Sequence, residues 1–535
     1  MAIAGCGPKG LYALERLLGH AAELPATALR MEVDVFEPHP AAGAGANYDP
    51  AQPEYLRMNF AADQLDMWWP GGGVVPAAER QSFEAWRAKL GGGVDEYPPR
   101  AEVGRYLSEG LAAVLRHAPA KVDVQMHRAA VDELTPAGRQ WLVESAGSAR
   151  AYDEVLICTG HQSPGPPARP ESVPAGGVVA IRGFALTFID AALALTEGRG
   201  GRFEATDHAY RLKYLPGPAE PAAILPFSRT GRPLLAKPAR AIEARVPALR
   251  RIAADGRARI ACLEGVVDLH GDLLPILIAT TCAALAAASG RDDHERLRVQ
   301  IGRRFAEAAG GVQGAGEPEP AEAIAESLAV GNGSALPGVP WALGHTWRAL
   351  YPALVSRLGG DGLAARDWPA FLRLSAEMER VAFGPPPLNA AKLLALIEAG
   401  RVDLAHVRGG RLVGEEGHLS LRSEHGEQPV DAVLDAVLPA PGALGHPGLL
   451  ARLISAGHIR IAPGRRGLEV TADAACRGAA PGLSAIGRPT EDSVIGNDTL
   501  SRALHPHADR WARRVAQRCH DDSIAAARRR LWTPA

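Results

Sequence analysis

None of the six cysteines, Cys6, Cys158, Cys262, Cys282, Cys476 and Cys519, stands in a C-x-x-C pair. Zinc ribbons and thioredoxin-type dithiols need such spacing, so both are excluded. Scattered single thiols fit a reducing cytosol. There is no excess of one charge either: 58 Lys and Arg stand against 60 Asp and Glu. A balanced chain has no field with which to gather nucleic acid or an anionic membrane, and neither is expected as a partner. No basic segment followed by an apolar one opens the sequence, so no export signal is expected and the protein is assigned to the cytoplasm. No apolar run reaches the roughly 20 residues of a membrane span. The most apolar stretch, Leu273 to Ala288, contains Pro275, Thr280 and Thr281 and reads as a buried, Ala-rich helix. No metal-ligating cluster and no Ser-His-Asp constellation is evident, so no metal is expected and no catalytic residue is assigned.

What is present is the composition of a globular protein with a real core: 47% hydrophobic and 22% charged residues. A length of 535 residues allows two to four domains. The N-terminus carries the clearest pattern. A short apolar run, Met1 to Ala4, meets Gly5, Gly7 and Gly10 in G-x-G-x-x-G spacing. Leu11, Leu14, Leu17 and Leu18 then recur at helical spacing. A second apolar strand, Met31 to Phe36, ends in Glu37. Strand, glycine turn, helix, strand and acid form the dinucleotide fingerprint in its required context. Gly5 permits the tight turn, Gly7 lets the backbone approach a pyrophosphate, and Gly10 lets helix pack on strand. Pro8 suits a first helical position. Glu37 accepts hydrogen bonds from ribose hydroxyls and repels a 2′-phosphate, which disfavours NADP at this first site. Its spacing is longer than usual, 27 positions beyond Gly10, and fits an extended loop from His20 to Leu29.

Further along, Gly43 to Pro70 has loop composition with costly exposed apolar groups, Met58, Trp68 and Trp69. It is either a loop folded over the core or a flavin-facing loop in which Asn59 offers an amide. Tyr152 to His161 reads as a strand ending in Thr159–Gly160, as in the strand that closes an FAD domain, or as any buried parallel strand. His161 reads as a polar turn residue near a cofactor, the alternative being a catalytic acid or base. After a Pro-rich connector, Val178 to Ile181 is a strand, Gly183 a turn and Phe188 to Leu195 a helix, without a second G-x-G-x-x-G. The strand Ile224 to Phe227 precedes Ser228, Arg229, Thr230, Gly231 and Arg232. Ser228, Arg229 and Arg232 suit the 2′-phosphate of NADPH, the alternative being a solvated basic turn. Gly310 to Gly338 is expected as a long loop, Trp341 to Gly384 as helical and Ala390 to Ala399 as a helix. Strands return at Asp431 to Leu438 and Leu483 to Ile486. The second runs into Gly487, with Asn497 or Asp498 as a ribityl or flavin contact, or Asp498 as a cap, and a helix from about Thr499. Arg57, Arg100, Arg105, Arg303 and Arg304 are candidates for a substrate carboxylate. The fold expected is α/β, a two-dinucleotide-binding (Rossmann-like) architecture with parallel sheets and a helical insertion. The expected division is an FAD domain over 1–170, a second nucleotide-binding half over 171–265, a helical insertion over 266–400, and a return over 401–535.

The segments GCGPKGLYALERL, FEP, GANYDP, LRMNFAADQ, CTGH and GRPTEDSVIGNDTLSR together resemble a bacterial family of FAD/NAD(P)-binding proteins. That family includes an FAD-dependent urate hydroxylase and an aspartate N-monooxygenase. The resemblance is best over the first 160 residues, then around RGFALTFIDAALALTEGRGG, then in the C-terminal motif. It implies FAD held at Gly5, Gly7, Gly10 and Glu37. It further implies NADPH as reductant, molecular oxygen as co-substrate, and oxygen insertion into a small polar substrate, with N-hydroxylation of an amino acid or amine as the leading candidate. The missing second glycine triad departs from that pattern and leaves the mode of NADPH binding open. A flavin oxidase or dehydrogenase, and a non-catalytic FAD-binding partner protein, are the competing readings.

Overall fold

The computed structural model describes residues 1–25, 30–93, 95–160, 170–238, 241–312, 318–415, 418–438, 448–497 and 499–532. The chain forms two compact units, Met1–Pro164 with Pro439–Ala535, and Gly165–Leu438. It opens with β1 (Ala2–Ala4), α1 (Pro8–Glu23) and β2 (Met31–Phe36). Then follow α2 (Arg100–Arg116), β3 (Val122–His127) and β4 (Val155–Ile157). An antiparallel meander, Glu133–Ala137, Gln140–Ser145 and Ser148–Tyr152, lies between β3 and β4.

The intervening unit runs through β5 (Val178–Arg182), α3 (Leu186–Leu195) and β6 (Ala223–Phe227). Its helical part comprises α4 (Ala248–Ala261), α5 (Leu274–Ser289), α6 (His294–Gly310), α7 (Pro320–Asn332), α8 (Val339–Leu358), α9 (Trp368–Ala382) and α10 (Pro387–Glu398). β7 (Ala432–Asp435) closes that unit, and β8 (Leu483–Ala485) and α11 (His507–Trp532) complete the first.

The first unit is built on a five-stranded sheet in the order β8-β4-β1-β2-β3, every pair parallel. Its central strands are short and wholly buried, as strands covered on both faces must be. Leu11, Leu14, Leu17 and Leu18 of α1 pack into one core with Val33, Val35, Leu107 and Val515. The last strand is brought beside β4 by a buried acid. Glu154 accepts from Ser484 Oγ at 2.7 Å, Trp511 Nε1 at 3.1 Å and Arg518 Nη2 at 2.8 Å, which ties β8 and α11 to the strand it precedes.

The second unit has a three-stranded parallel sheet, β6-β5-β7, so the α/β expectation holds in both units. Its helices begin earlier than residue 266, with α4. The expected loop over 310–338 contains α7. Pro320 starts that helix, Ile324 and Leu328 bury one face, and Gly333, at φ +82°, ends it in the left-handed region. Helix α5, with the turn before it, is long and apolar enough by composition to cross a membrane. It packs instead against α4, α6 and α8.

Candidate functional site

The turn from β1 into α1 carries three glycines that answer to different demands. Gly5 sits at φ +101°, and a Cβ there would lie 2.7 Å from the Cys158 carbonyl oxygen. A Cβ on Gly10 would lie 2.1 Å from the Gly5 carbonyl oxygen. The protein's own packing forces both. A Cβ on Gly7 would meet nothing nearer than 4.0 Å. The space beside Gly7 is open, as close approach of a pyrophosphate requires. Gly7 is the N-cap of α1, Pro8 fills the first turn, and no side chain caps the helix. The helix therefore offers its backbone N–H end and positive dipole end to the turn. The following loop folds onto the same place. Gly43 N–H donates to the Cys6 carbonyl at 2.6 Å, and a Cβ on Gly45 would stand 3.2 Å from Gly7 Cα.

Glu37 follows β2 and is buried. Its Oε2 accepts from Cys6 N–H at 2.7 Å and its Oε1 from His39 N–H at 2.9 Å. The acid thus fastens the glycine turn as well as facing it. Each carboxylate oxygen has a second lone pair, which leaves capacity for ribose hydroxyls. Burial, and then the Glu37 charge, push the Cys6 thiol up to about 12, so it stays protonated and inert.

Thr159 follows β4. Its Oγ1 is buried without a hydrogen-bond partner, and its backbone N is 3.2 Å from the position of a Gly5 Cβ. An unpaired buried hydroxyl costs about 1–3 kcal/mol. A polar ligand at the glycine turn would remove that cost. Gly160 is exposed, with open space where a Cβ would be. Asn59 is half-buried, one residue beyond Met58, whose N–H donates to the Pro98 carbonyl. Met58, Met67 and Trp68 belong to the core, so much of the Gly43–Pro70 segment is a loop folded over it. His161 and Asp498 lie outside the described residues.

At the other end of the chain, β8 runs into Gly487, at φ +75°. A Cβ there would lie 3.0 Å from Lys9 Cγ. Asn497 Nδ2 and Thr490 Oγ1 both donate to the Gly487 carbonyl, at 2.6 and 2.9 Å. Asn497 therefore braces the turn. Lys9 Nζ donates to the Thr499 carbonyl at 2.7 Å and Tyr12 Oη to that of Leu500 at 3.1 Å. The helix that presents the glycine turn thus also holds the C-terminal segment. The helix expected from about Thr499 starts instead at His507. Pro506 disfavours helical backbone at His505, and proline enters a helix only in its first turn.

In the second unit, β5 runs into Gly183, at φ +117°, where a Cβ would lie 3.0 Å from the Ala436 carbonyl oxygen. Helix α3 starts at Leu186 without a side-chain cap. One glycine shapes this turn where three shape the first. After β6, Ser228 Oγ accepts from Gly231 N–H at 2.9 Å and Ser228 N–H donates to the Val407 carbonyl. Arg229 is exposed. Arg232 forks onto Glu377 of α9, both bonds 2.7 Å, and Arg380 shares that carboxylate at 2.8 Å. Burial alone would raise the Glu377 pKa. The hydrogen bonds and charges of Arg380, then of Arg232, outweigh it and hold the group below the ordinary range.

This loop walls a cavity of about 1150 Å³ that is also lined by Arg304, Arg348, Arg373 and Arg408. Sequence reasoning singled out Arg304 but not Arg348, Arg373, Arg380 or Arg408. They come from α8 (Arg348), α9 (Arg373 and Arg380) and the segment after α10 (Arg408), which only the fold brings together. The other arginines considered for a carboxylate do not converge. Arg57 Nη1 donates to Asp95 and the Tyr97 carbonyl, Arg100 Nε to the Arg57 carbonyl, Arg105 is exposed on α2, and Arg303 pairs with Glu307.

Residues 2–162, which span the whole stretch from Gly5 to Gly160, match a family described as FAD-NAD(P)-binding. Among curated proteins, the chain is 35% identical over 269 residues to a nitrosuccinic acid synthase of Aspergillus oryzae, covering 44% of this chain and 41% of that one. It is 32% identical over 290 residues to an L-aspartate N-monooxygenase (nitrosuccinate-forming) of Streptomyces cremeus, covering 44% and 42%. The chain thus aligns with less than half the length of these curated relatives. Among solved structures, an L-lysine 6-monooxygenase from Pseudomonas syringae superposes with a TM-score of 0.48 at 13% identity, over 97% of this chain and 99% of that one.

Proposed function

We propose that the protein is an FAD-dependent, NADPH-using monooxygenase that oxygenates the amino nitrogen of a small amino acid. One observation carries the reading. Within the segment that matches the FAD-NAD(P)-binding family, the open space at Gly7, the uncapped start of α1 and the unpaired Thr159 hydroxyl converge on one turn. Those features suit a phosphate-linked dinucleotide, and the residues present fit FAD. Gly7 admits the pyrophosphate, Glu37 receives the adenosine ribose, and Thr159 pairs its hydroxyl with the cofactor. Gly160, Gly487, Asn497 and Asn59 are the further contacts, and Pro8 sets the start of the helix. Bound FAD would supply hydride acceptance and oxygen activation, chemistry that amino-acid side chains do not provide.

For the reductant, Arg232 is paired with Glu377 whereas Arg229 is exposed, which makes Arg229 the better candidate for a 2′-phosphate. Arg232, held by Glu377, keeps the loop in shape, and Ser228 caps it. Among the described residues, the cavity beside that loop is lined by seven arginines and five glutamates, so arginine is in excess there. The names of the curated relatives make aspartate the first substrate to try. The test is a stopped-flow comparison of the FAD-loaded protein with NADPH and NADH. NADPH should bleach the flavin faster, with the preference lost in Arg229→Ala. A flavin that neither nucleotide reduces would sink the reading.

A further inference from the structure

A second, much smaller pocket lies in the first unit, between α1 and the C-terminal segment. Its volume is about 40 Å³, the scale of one or two waters or one carboxylate. Lys9, Arg16 and Arg502 line it, together with Tyr12, His505 and His507. Among the described residues no acidic side chain lines it. The pocket shares Gly487 and Asn497 with the turn after β8, so whatever fills it sits beside the proposed cofactor site.

Arg502 is the informative residue. It is 7% exposed, it lies over the Tyr12 ring at 4.3 Å, and its Nη2 donates to Glu15 at 2.6 Å. Its other terminal nitrogen, Nη1, is buried with no hydrogen-bond partner. His507 Nδ1 in the same pocket is likewise buried and unpartnered. A cationic N–H without an acceptor is among the costlier groups to bury. Arg16 pairs with Asp509 at 2.8 Å and Arg502 with Glu15 at 2.6 Å, and neither acid is among the residues that line the pocket. Burial and then the Lys9 charge hold His505 neutral, and burial, Arg510 and then Lys9 do the same for His507. The described lining supplies Lys9, Arg16 and Arg502 as cationic donors and no carboxylate.

We infer that this pocket binds a carboxylate-sized anion, with Arg502 Nη1 as its principal donor and Lys9 as supporting charge. The anion is either a free small ion or the carboxylate of an amino-acid substrate, and the second source rests on the function proposed above. The test uses the FAD-loaded full chain. Sodium formate is titrated at ionic strength held by a bulky sulfonate buffer, read by the flavin difference spectrum, and bromide is located by anomalous diffraction. Saturable binding is expected, with a bromide peak within hydrogen-bond distance of Arg502 Nη1. Lys9→Gln should weaken formate at least tenfold, as should Arg502→Lys, which keeps the charge next to Glu15 while removing the fork. A melting curve on each variant verifies folding. Competition of L-aspartate with formate identifies the substrate carboxylate as occupant, and its absence identifies a free ion. No saturation together with no bromide peak overturns the inference. Failure to oxygenate any amino acid while formate still binds would count against the proposed activity and leave this site intact.

Discussion

At the scale of single residues, the three glycines of the first turn make separable predictions. Gly5→Ala places a methyl 2.7 Å from a carbonyl oxygen at positive φ, and Gly10→Ala places one at 2.1 Å. Both should lower the melting temperature of the cofactor-free protein. Gly7→Ala should leave that temperature within about 2 °C, because nothing in the protein occupies the space. It should weaken FAD at least tenfold in a fluorescence titration, because a methyl would stand where the pyrophosphate approaches. Thr159→Val separates ligand from fold in the same way. Removing an unpaired hydroxyl should leave the cofactor-free protein as stable or more so, and should weaken FAD by about 1 kcal/mol.

These residues were legible because each of their roles is local. Spacing announces a turn, and a strand ending in Thr-Gly announces its neighbour. The bracing roles of Glu37 and Asn497 were not legible. They depend on which N–H or carbonyl the fold brings near, Cys6 in one case and Gly487 in the other.

At the scale of elements, β1, β2, β5 and β6 were read from the sequence almost to their ends, since short apolar runs bounded by glycine or charge have few alternatives. Helix α7 was missed because alanine blurs its apolar period, leaving Ile324, Leu328 and Val330 as its large buried residues. The meander after β3 was missed because its two outer strands are mostly unburied, with Leu134 and Tyr152 as their one buried residue each.

Two predictions belong at this scale. Glu154 joins β4 to β8 and α11, so Glu154→Ala removes the acceptor of Trp511 Nε1 and the carboxylate partner of Arg518 Nη2, while Arg514 keeps Asp473 and Ser484. Because both arginines are partly exposed, loss of this carboxylate should cost about 1–3 kcal/mol in denaturant unfolding. Glu377 joins the loop after β6 to α9. Its pKa is depressed in the folded protein, so its stabilisation is present above the unfolded carboxylate pKa and is lost as pH falls through the folded value. The urea midpoint of Glu377→Gln should therefore fall below wild type at pH 7, and the gap should close on acidification. A gap that stays constant with pH would show that the carboxylate charge is not what matters.

At the scale of the whole molecule, each unit repeats one physical scheme, a parallel sheet with a glycine turn feeding a helix. The first unit draws its sheet from both ends of the chain. That arrangement explains why motifs nearly 500 residues apart, the glycine turn and the segment after Gly487, read as parts of one cofactor site. The second unit lacks the glycine triad and carries instead a cavity rich in arginine from distant helices. No sequence window shows that convergence, because it exists only once the helices pack. The activity proposed above, with FAD in the first unit and NADPH in the second, is transfer of one oxygen atom from O₂ to an amine. The most direct test is mass spectrometry of the product after the FAD-loaded protein turns over L-aspartate with NADPH under ¹⁸O₂. The account predicts product carrying ¹⁸O on nitrogen. NADPH oxidation that yields only hydrogen peroxide and leaves every amino acid tried unchanged would contradict it.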